Sequence, residues 1–373
     1  MKCNLSDICY FVNEKISLSE LTKDTYISTE NMLTNRGGIT VASALPSITQ
    51  TQAFKVGDVL VSNIRPYFKK IWHATFNGGC SNDVLVFRAK ESIDSDFLYY
   101  VLADDAFFNY ATGTSKGTKM PRGDKSAIMQ YGVPNIALSL QIRIAHILKP
   151  IDNKISLNNA INHNLEQQAQ LLYKQSFPYS LTDVLPAGWR IGTVGEIIEL
   201  HDSKRIPLSG AERAKMSKKL YPYYGAAALM DYVDNYIFDG KYLLLGEDGT
   251  VIGDDGCAVL QYVWGQFWVN NHAHILTGKL GYNVESLYML FKQIPIKSII
   301  TGAVQPKISQ ANLRSIRIVI PPETLLNKYN YQVEPLFSLI RTNEDAIKSL
   351  SKLRDTLLPK LMSGELDVSD VEI

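Results

Sequence analysis

The chain is a repeat of itself, and that constrains it more than any other feature. A slide of about 189 places sets Leu5-Ser6-Asp7-Ile8 on Val194-Gly195-Glu196-Ile197. The same slide sets Ser81-Asn82-Asp83-Val84-Leu85-Val86 on Asn270-Asn271-His272-Ala273-His274-Ile275. Leu98-Tyr99 falls on Leu287-Tyr288 and Gly113 on Gly302, and the shift narrows to 188 where Pro134 faces Pro322. A period this long is no solenoid unit; it implies two similar domains in series, related by an approximate two-fold.

Both halves follow one internal order. A segment dense in β-branched and aromatic residues comes first, around Lys55 to Ser62 and Tyr242 to Ile252, where Asp248-Gly249 suits a tight hairpin turn. Short helices follow, as around Asp96 to Phe108, and then a Pro-marked exit at Val133-Pro134 and at Ile320-Pro321-Pro322. After each exit the periodicity becomes helical. From about Ser139 to Ser176 a heptad seam reads Ile144, Leu148, Ile151, Ile155, Asn158, Asn162, Leu165, Ala169, Leu172. From about Thr324 to Met362 it returns at a shift of 185 as Leu336, Ile340, Asn343, Ile347, Leu350, Arg354, Leu357.

Pro150 and Pro335 share that shift, so both helices are expected to kink or restart about one turn before the regular seam. Asn158 and Asn343 occupy equivalent seam positions, either fixing register or marking a loose, wet coil end. The first helix leaves domain one for domain two and the second must head back, so the pair is expected to run antiparallel. At 1.5 Å per residue, about 38 residues span roughly 55 Å, the length of a spacer. The expected class is α+β: two similar α/β domains separated by two long antiparallel helices with pseudo-two-fold symmetry. The expected boundaries are 1–137, a spacer helix 138–177, a second domain 178–322, a second spacer helix 323–366 and a tail 367–373.

Composition supplies exclusions. The 373 residues carry a net charge of +1, so any nucleic-acid surface has to be local or supplied by a partner. Cys3, Cys9, Cys80 and Cys257 are scattered without a C-x-x-C pair, which suits a reducing compartment; no signal peptide or membrane-length apolar run is evident, so a cytoplasmic protein without a membrane partner is expected.

At this point the chain resembles the Type I restriction–modification specificity subunit. Leu185-Pro-Ala-Gly-Trp189 followed by Ile191-Gly-Thr-Val-Gly-Glu-Ile-Ile198 resembles that family's entry to a target-recognition domain. Gly302-Ala-Val-Gln-Pro-Lys-Ile-Ser309 resembles its exit, and Leu357-Leu-Pro-Lys-Leu-Met-Ser-Gly-Glu-Leu366 the end of its second helix. The first half departs: it begins at the equivalent of the Pro-x-Gly-Trp entry, and its exit word Gly113-Thr-Ser-Lys-Gly-Thr-Lys-Met120 reads as two residues longer without Gln-Pro. Its helix ends in Lys-Gln-Ser-Phe177 instead of the Lys-Leu-x-Ser-Gly-Glu pattern.

The resemblance implies a non-catalytic chain in which each domain reads one half of an asymmetric, bipartite site on double-stranded DNA while the helices set the unread gap. It implies two methyltransferase subunits and restriction/translocase subunits as partners, forming an adenine-N6 methyltransferase and ATP-dependent endonuclease. The chain itself would hold no cofactor; S-adenosylmethionine, ATP and Mg²⁺ would belong to the partners.

The candidate DNA contacts in the first half are Arg65, Lys69 and Lys70, with Lys116, Lys119, Arg122 and Lys125. In the second half they are Lys204 and Arg205, the Arg213 to Lys219 run with Lys218 and Lys219, the aromatic Tyr223 and Tyr224, and Gln305 with Lys307. Each cluster could equally be a solvated face. No Walker A loop, methyltransferase motif or Glu-x-Lys triplet is present. Glu247, Asp248, Asp254 and Asp255 could hold Mg²⁺ in a rival, metal-dependent nuclease, or merely solvate their turn; His272 and His274 share a strand face like zinc ligands but lack a third. Within the same fold the rival is a stand-alone or alternative specificity chain.

Overall fold

The computed structural model describes residues 2–302, 305–369 and 371. Ala303 and Val304 of the exit word, and most of the tail beyond 369, lie outside the described residues. The chain divides into two compact units, 1–158 with 345–373, and 159–344, so each long helix contributes to both.

In the first unit the central sheet orders strands Cys9–Phe11, Val84–Ala89, Val59–Ser62 and Ile71–His73, all antiparallel. Val59 to Ser62 is buried on both faces because successive side chains of a strand point opposite ways. Val59, Val61, Leu85 and Phe87 join the helices in one core, whereas Leu60, Val84 and Val86 face a second core shared with Ile27, Phe54 and Cys80. The second sheet, Lys15–Ser17, Gln50–Phe54, Gly78–Cys80 and Tyr26–Ile27, supplies that second core and includes one parallel pair.

The second unit repeats the arrangement. Ile198–Leu200, Ala273–Gly278, Tyr242–Gly246 and Leu260–Val263 form the matching antiparallel sheet. Leu243, Leu245 and Leu276 face the helices, and Leu244, Ala273 and Ile275 face the other way. Its second sheet takes a different course, Leu229–Val233, Tyr221–Tyr224, Gln266–Val269 and Phe238–Asp239. Asp248-Gly249 does not close a hairpin between neighbouring strands, contrary to expectation: residues 247–259 form one long connection whose tight turn lies at Asp254-Asp255-Gly256. There Gly253 N–H donates to Cys257 O (2.9 Å) and Gly256 has φ +79°.

An entry–exit ribbon closes each unit. Lys2–Asn4 pairs with Gly132–Pro134, and Arg190–Thr193 with Arg317–Ile320. Asn4 faces Gly132 as Thr193 faces Arg317, so Pro134 corresponds to Val319 and not to Pro322. The shift has already reached 185 at the exit strands, the value carried by the helices. Local likeness between two prolines had concealed it.

The long helices are Leu138–Ser176 and Glu323–Ser363. Both run unbroken through Pro150 and Pro335, so neither restarts there. Every expected seam residue is buried or half-buried. Within the first unit Arg354 Nη1 donates to Asp152 Oδ1 (2.8 Å), Tyr100 Oη to Asp152 Oδ2 (3.0 Å), and Arg143 Nη1 to Val368 O (3.4 Å). Within the second, Asn343 Nδ2 donates to Asn162 Oδ1 (2.8 Å) and Tyr329 Oη to Ala169 O (3.0 Å). In each unit the partner number falls as the first helix advances, so the segments are antiparallel.

The partner of Asn343 is thus Asn162, a buried amide pair whose Asn162 Nδ2 also donates to Glu344 Oε1 (3.3 Å). Asn343→Leu alone leaves Asn162 Oδ1 buried without its donor, although Asn162 Nδ2 keeps Glu344, and should cost about 1–3 kcal/mol. Replacing both by Leu should recover that loss or gain stability. Calorimetry of the single and double variants checks the sign; equal losses for both would show that the pair contributes nothing as a pair.

Candidate nucleic-acid interface

The same three loops meet at one end of the central sheet in each unit. The first follows the strand Val59–Ser62 or Tyr242–Gly246, the second precedes Val84–Ala89 or Ala273–Gly278, and the third is the exit loop. In the first unit Asn63 N–H donates to Asp83 O (2.8 Å), Arg65 N–H to Pro121 O (2.8 Å) and Gly123 N–H to Asn63 O (3.1 Å). In the second unit Glu247 N–H donates to His272 O (2.8 Å), Gly249 N–H to Pro306 O (3.0 Å) and Ile308 N–H to Glu247 O (2.8 Å). Ile64 bridges Arg122 as Asp248 bridges Lys307. The two clamps coincide bond for bond.

The exit loops are held shut alike. Lys116 and Arg122 exchange backbone hydrogen bonds (both 2.9 Å), as Thr301 and Lys307 do (2.9 and 2.8 Å). Gly117 (φ +97°) therefore matches Gly302 (φ +87°), Pro121 matches Pro306 and Arg122 matches Lys307. The comparison of Gly113 with Gly302 is corrected, and the first exit word is not longer. Of the Gly-x-x-Gln-Pro-Lys pattern the Gly and Pro are kept, Arg122 stands for Lys307 and Met120 for Gln305. A Cβ on Gly302 would stand 2.3 Å from Gln305 O, so close approach as well as φ demands glycine there.

This scaffold unites the first unit's candidates. Arg65, Lys69 and Lys70 lie on one loop and Lys116, Lys119, Arg122 and Lys125 on or beside the loop clamped to it. Arg122 is bidentate to Asp83 (2.9 and 3.3 Å), Lys116 pairs with Asp124 (2.5 Å), and Lys69 with Asp105 (2.8 Å). These are largely exposed pairs, which a phosphate can displace at little cost. Lys70 Nζ donates to Thr29 O (2.6 Å), and burial pulls its pKa below the ordinary lysine value. Among the described residues neither Lys119 nor Lys125 forms an ion pair.

The second unit's candidates are dispersed. Lys307 and Gln305 occupy the exit loop, Lys204 is exposed, and Lys218 and Lys219 form a separate turn whose N–H groups donate to Asp234 Oδ1 (2.8 and 2.7 Å). Three candidates are engaged within the unit. Tyr223 is buried, its hydroxyl hydrogen-bonded to Leu208 and its face covered by Arg213 (4.8 Å). It belongs to a central strand, and central strands cover their faces. Tyr224 is half-buried with its ring edge-on to Phe267. Arg205 is committed inward: its guanidinium donates to Glu247 Oε2 (2.5 Å), Ala273 O (2.8 Å) and Asp202 O (3.0 Å).

Around Arg205 lies a network the linear sequence does not announce. Asp202 Oδ2 accepts from His274 Nδ1 (2.6 Å) and Gln310 Nε2 (2.6 Å), and its Oδ1 from Ile275 N–H (2.9 Å). His274 Nε2 lies 2.8 Å from Ile308 O, and Lys307 Nζ 3.3 Å from Glu247. Burial pushes the Asp202 carboxyl upward, but the hydrogen bonds from His274 and Ile275 and the Arg205 charge outweigh it and hold it below the usual carboxylate range. Asp202, Glu247 and His274 place three ligand-type atoms within 4.8 Å. Arg205, Lys307, Gln310 and the Ile275 N–H donate to the two carboxylates, and these bonds tie the Asp202 segment to the first loop and the exit loop. His272 turns to a different carboxylate, Asp248, and Asp255 Oδ1 accepts from Cys257 N–H (2.9 Å) within its own turn.

Between the units the first loop differs most. Residues 63–70 carry Arg65, Lys69 and Lys70 and no carboxylate, whereas the longer 247–259 carries Glu247, Asp248, Asp254 and Asp255 and no Lys or Arg. Among the described residues no helix is long and apolar enough to cross a membrane.

A shared scaffold presented twice, with loop chemistry that diverges between the copies, defines a duplicated two-domain recognition protein. Residues 1–167 and 186–347 each match the family model described as the Type I restriction modification DNA specificity domain, and the chain belongs to that family. It is similar to the Type I restriction enzyme MjaIX specificity subunit of Methanocaldococcus jannaschii, with 25% identity over 313 residues, 76% of this chain and 71% of that protein. It is also similar to a putative Type I restriction enzyme specificity subunit of Haemophilus influenzae, 32% identical over 127 residues, about a third of each chain (34% and 32%). The crystal structure of the Type I restriction–modification S subunit from M. genitalium shares the fold, with a TM-score of 0.57 at 18% identity over 99% of this chain and 96% of that one.

Proposed function

We propose that this chain is the DNA-reading subunit of a Type I restriction–modification complex and recognises an asymmetric, bipartite site on double-stranded DNA. Each unit offers its three-loop cluster to one half-site. The observation that carries this reading is the pair of clamps: identical in backbone hydrogen bonding, opposite in first-loop charge. Identical scaffolds fix how each reader meets a groove, and different side chains make the two half-sites different. The long helices set the gap and carry two methyltransferase subunits, with restriction/translocase subunits joining them. The chain supplies no catalytic group; S-adenosylmethionine, ATP and Mg²⁺ serve the partners, which flip and methylate adenine.

Methylation-sensitive sequencing of a host expressing this chain with its methyltransferase tests the reading. The expected result is one motif of two unlike blocks separated by a constant gap. A single block, a palindrome, or methylation without sequence preference would overturn it.

A further inference from the structure

The first loop of the first unit holds more than cations. Its sequence Asn63-Ile-Arg-Pro-Tyr-Phe-Lys-Lys70 folds into one 3₁₀ turn, Pro66–Phe68, flanked by Arg65 and Lys69 at φ +50° and +51°. A second left-handed turn docks on it: Asn35 (φ +53°) donates its N–H to Phe68 O (2.9 Å) and Arg36 (φ +61°) to Lys69 O (2.9 Å). Four of the six non-glycine residues with positive φ among the described residues thus converge on the segment 65–69. Left-handed backbone is costly with a Cβ present and persists where the surroundings enforce it. Arg36 does the enforcing, its guanidinium tied to Ala103 O (2.6 Å) and to Asp105.

That strain holds two aromatic rings out in solvent. Tyr67 is 47% and Phe68 37% exposed, their centroids 4.8 Å apart. Phe68 also has the Arg65 guanidinium 6.0 Å from its centroid, whereas among the described residues Tyr67 meets no ring but that of Phe68. The Arg65 Nε is buried without a hydrogen-bond partner, and Arg65 Nη2 only grazes Lys119 O at 3.5 Å. On the clamped exit loop Met120 is 46% exposed. The outcome is a braced apolar tip with Lys69, Lys119, Arg122 and Lys125 on its own loop or on the segment clamped to it. The second unit has nothing of the kind: its corresponding loop is acidic and without aromatic residues, and Gln305 replaces Met120.

We propose that Tyr67, on the rigid Pro66–Phe68 turn, is a base-contacting wedge of the first unit that packs into one base step of its half-site. The proposal rests on the DNA-reading function above and adds the residue and the mode. Duplex DNA is the occupant because the charge pattern fits it: cations beside an apolar tip bind phosphates on either side while the ring reaches the bases. A wedge favours steps that unstack easily, so the first half-site should contain a pyrimidine–purine step where Tyr67 lands. The second half-site has no such requirement.

The test is binding-site selection from randomised duplexes by the full chain with its methyltransferase partners, with affinity measured across a salt series. Tyr67→Ala should erase the preference at one base step in one half-site and weaken binding to the parental site about tenfold or more. The salt slope should stay unchanged, and Tyr67→Phe should behave as the parent. Lys119→Ala and Lys125→Ala should do the reverse, flattening the slope by about one unit each with the selected bases unchanged. The proposal is overturned if Tyr67→Ala selects the same bases with parental affinity, if it alters only the salt slope, or if it instead releases the methyltransferase. A parent that selects no sequence at all would defeat the DNA-reading function itself, which is a separate outcome.

Discussion

Asp202→Ala should destabilise the second unit by about 3–5 kcal/mol, the scale for removing one partner from a buried charged network. The side chain is 4% exposed, and its two oxygens receive the His274 ring, the Gln310 amide and the Ile275 N–H. Alanine leaves the His274 ring and the Ile275 N–H buried without this acceptor, whereas the exposed Gln310 amide can turn to solvent. Arg205 keeps Glu247, so the guanidinium remains partnered and the loss falls on His274 and Gln310. Both connect to the exit loop, His274 through Ile308 O and Gln310 by position, so that loop should loosen first. Hydrogen exchange across residues 305–310 should rise while the first unit stays protected, and calorimetry should show only the second unit's transition moving down. Asp254→Ala, on an exposed turn, should stay within about 0.5 kcal/mol. A loss under about 1 kcal/mol for Asp202→Ala would mean the network is not a lock.

The same carboxyl sets an acid sensitivity. Its folded pKa is depressed, so its contribution is complete above the unfolded value near 4 and is lost as pH falls through the lower folded value. The Asp202→Ala protein should therefore differ least from its parent at low pH.

Duplication was legible because the residues that matched are those the cores need. Val84 to Phe87 and Ala273 to Leu276 feed two cores apiece, and the helix seams persist at their own shift. What was not legible is where the shift changes. Structurally, Ser62 faces Val84 as Gly246 faces Ala273, a local offset of 184, and the longer 247–259 loop restores 189 at the next strand. The exit loops then fall at 185, so the Gly117–Gly302 and Pro121–Pro306 equivalences needed hydrogen-bond register, which no single stretch of sequence reveals. A slide at 185 would have paired Pro121-Arg122 with Pro306-Lys307, and that signal was present. The Asp202 network offered none: residues 202, 247, 274 and 310 meet only because three loops share one sheet end. Tyr223 looked like surface because aromatic runs read alike whether a strand is covered or bare.

Lengthening both long helices together should widen the gap in the recognised site and leave both half-sites as they were. The place is fixed by the unit boundary: between Asn158 and Asn159 in the first helix and between Glu344 and Asp345 in the second. Insertions there leave the Asp152–Arg354 contact inside one unit and the Asn162–Asn343 contact inside the other. Insertion into one helix alone is a different experiment, because it slides an antiparallel seam out of register and should cost stability before it alters spacing. Four residues per helix add about 6 Å and turn the axis by roughly 40°. The readers must still meet the groove they met before, and each added base pair moves that groove around the duplex as well as along it. The matched variant should therefore select a gap longer by one or two base pairs and no other, and methylation sequencing reads this directly. If the blocks themselves changed, the helices would be shaping the readers and not merely setting their separation. If the gap stayed constant, the spacing would be held by partner subunits.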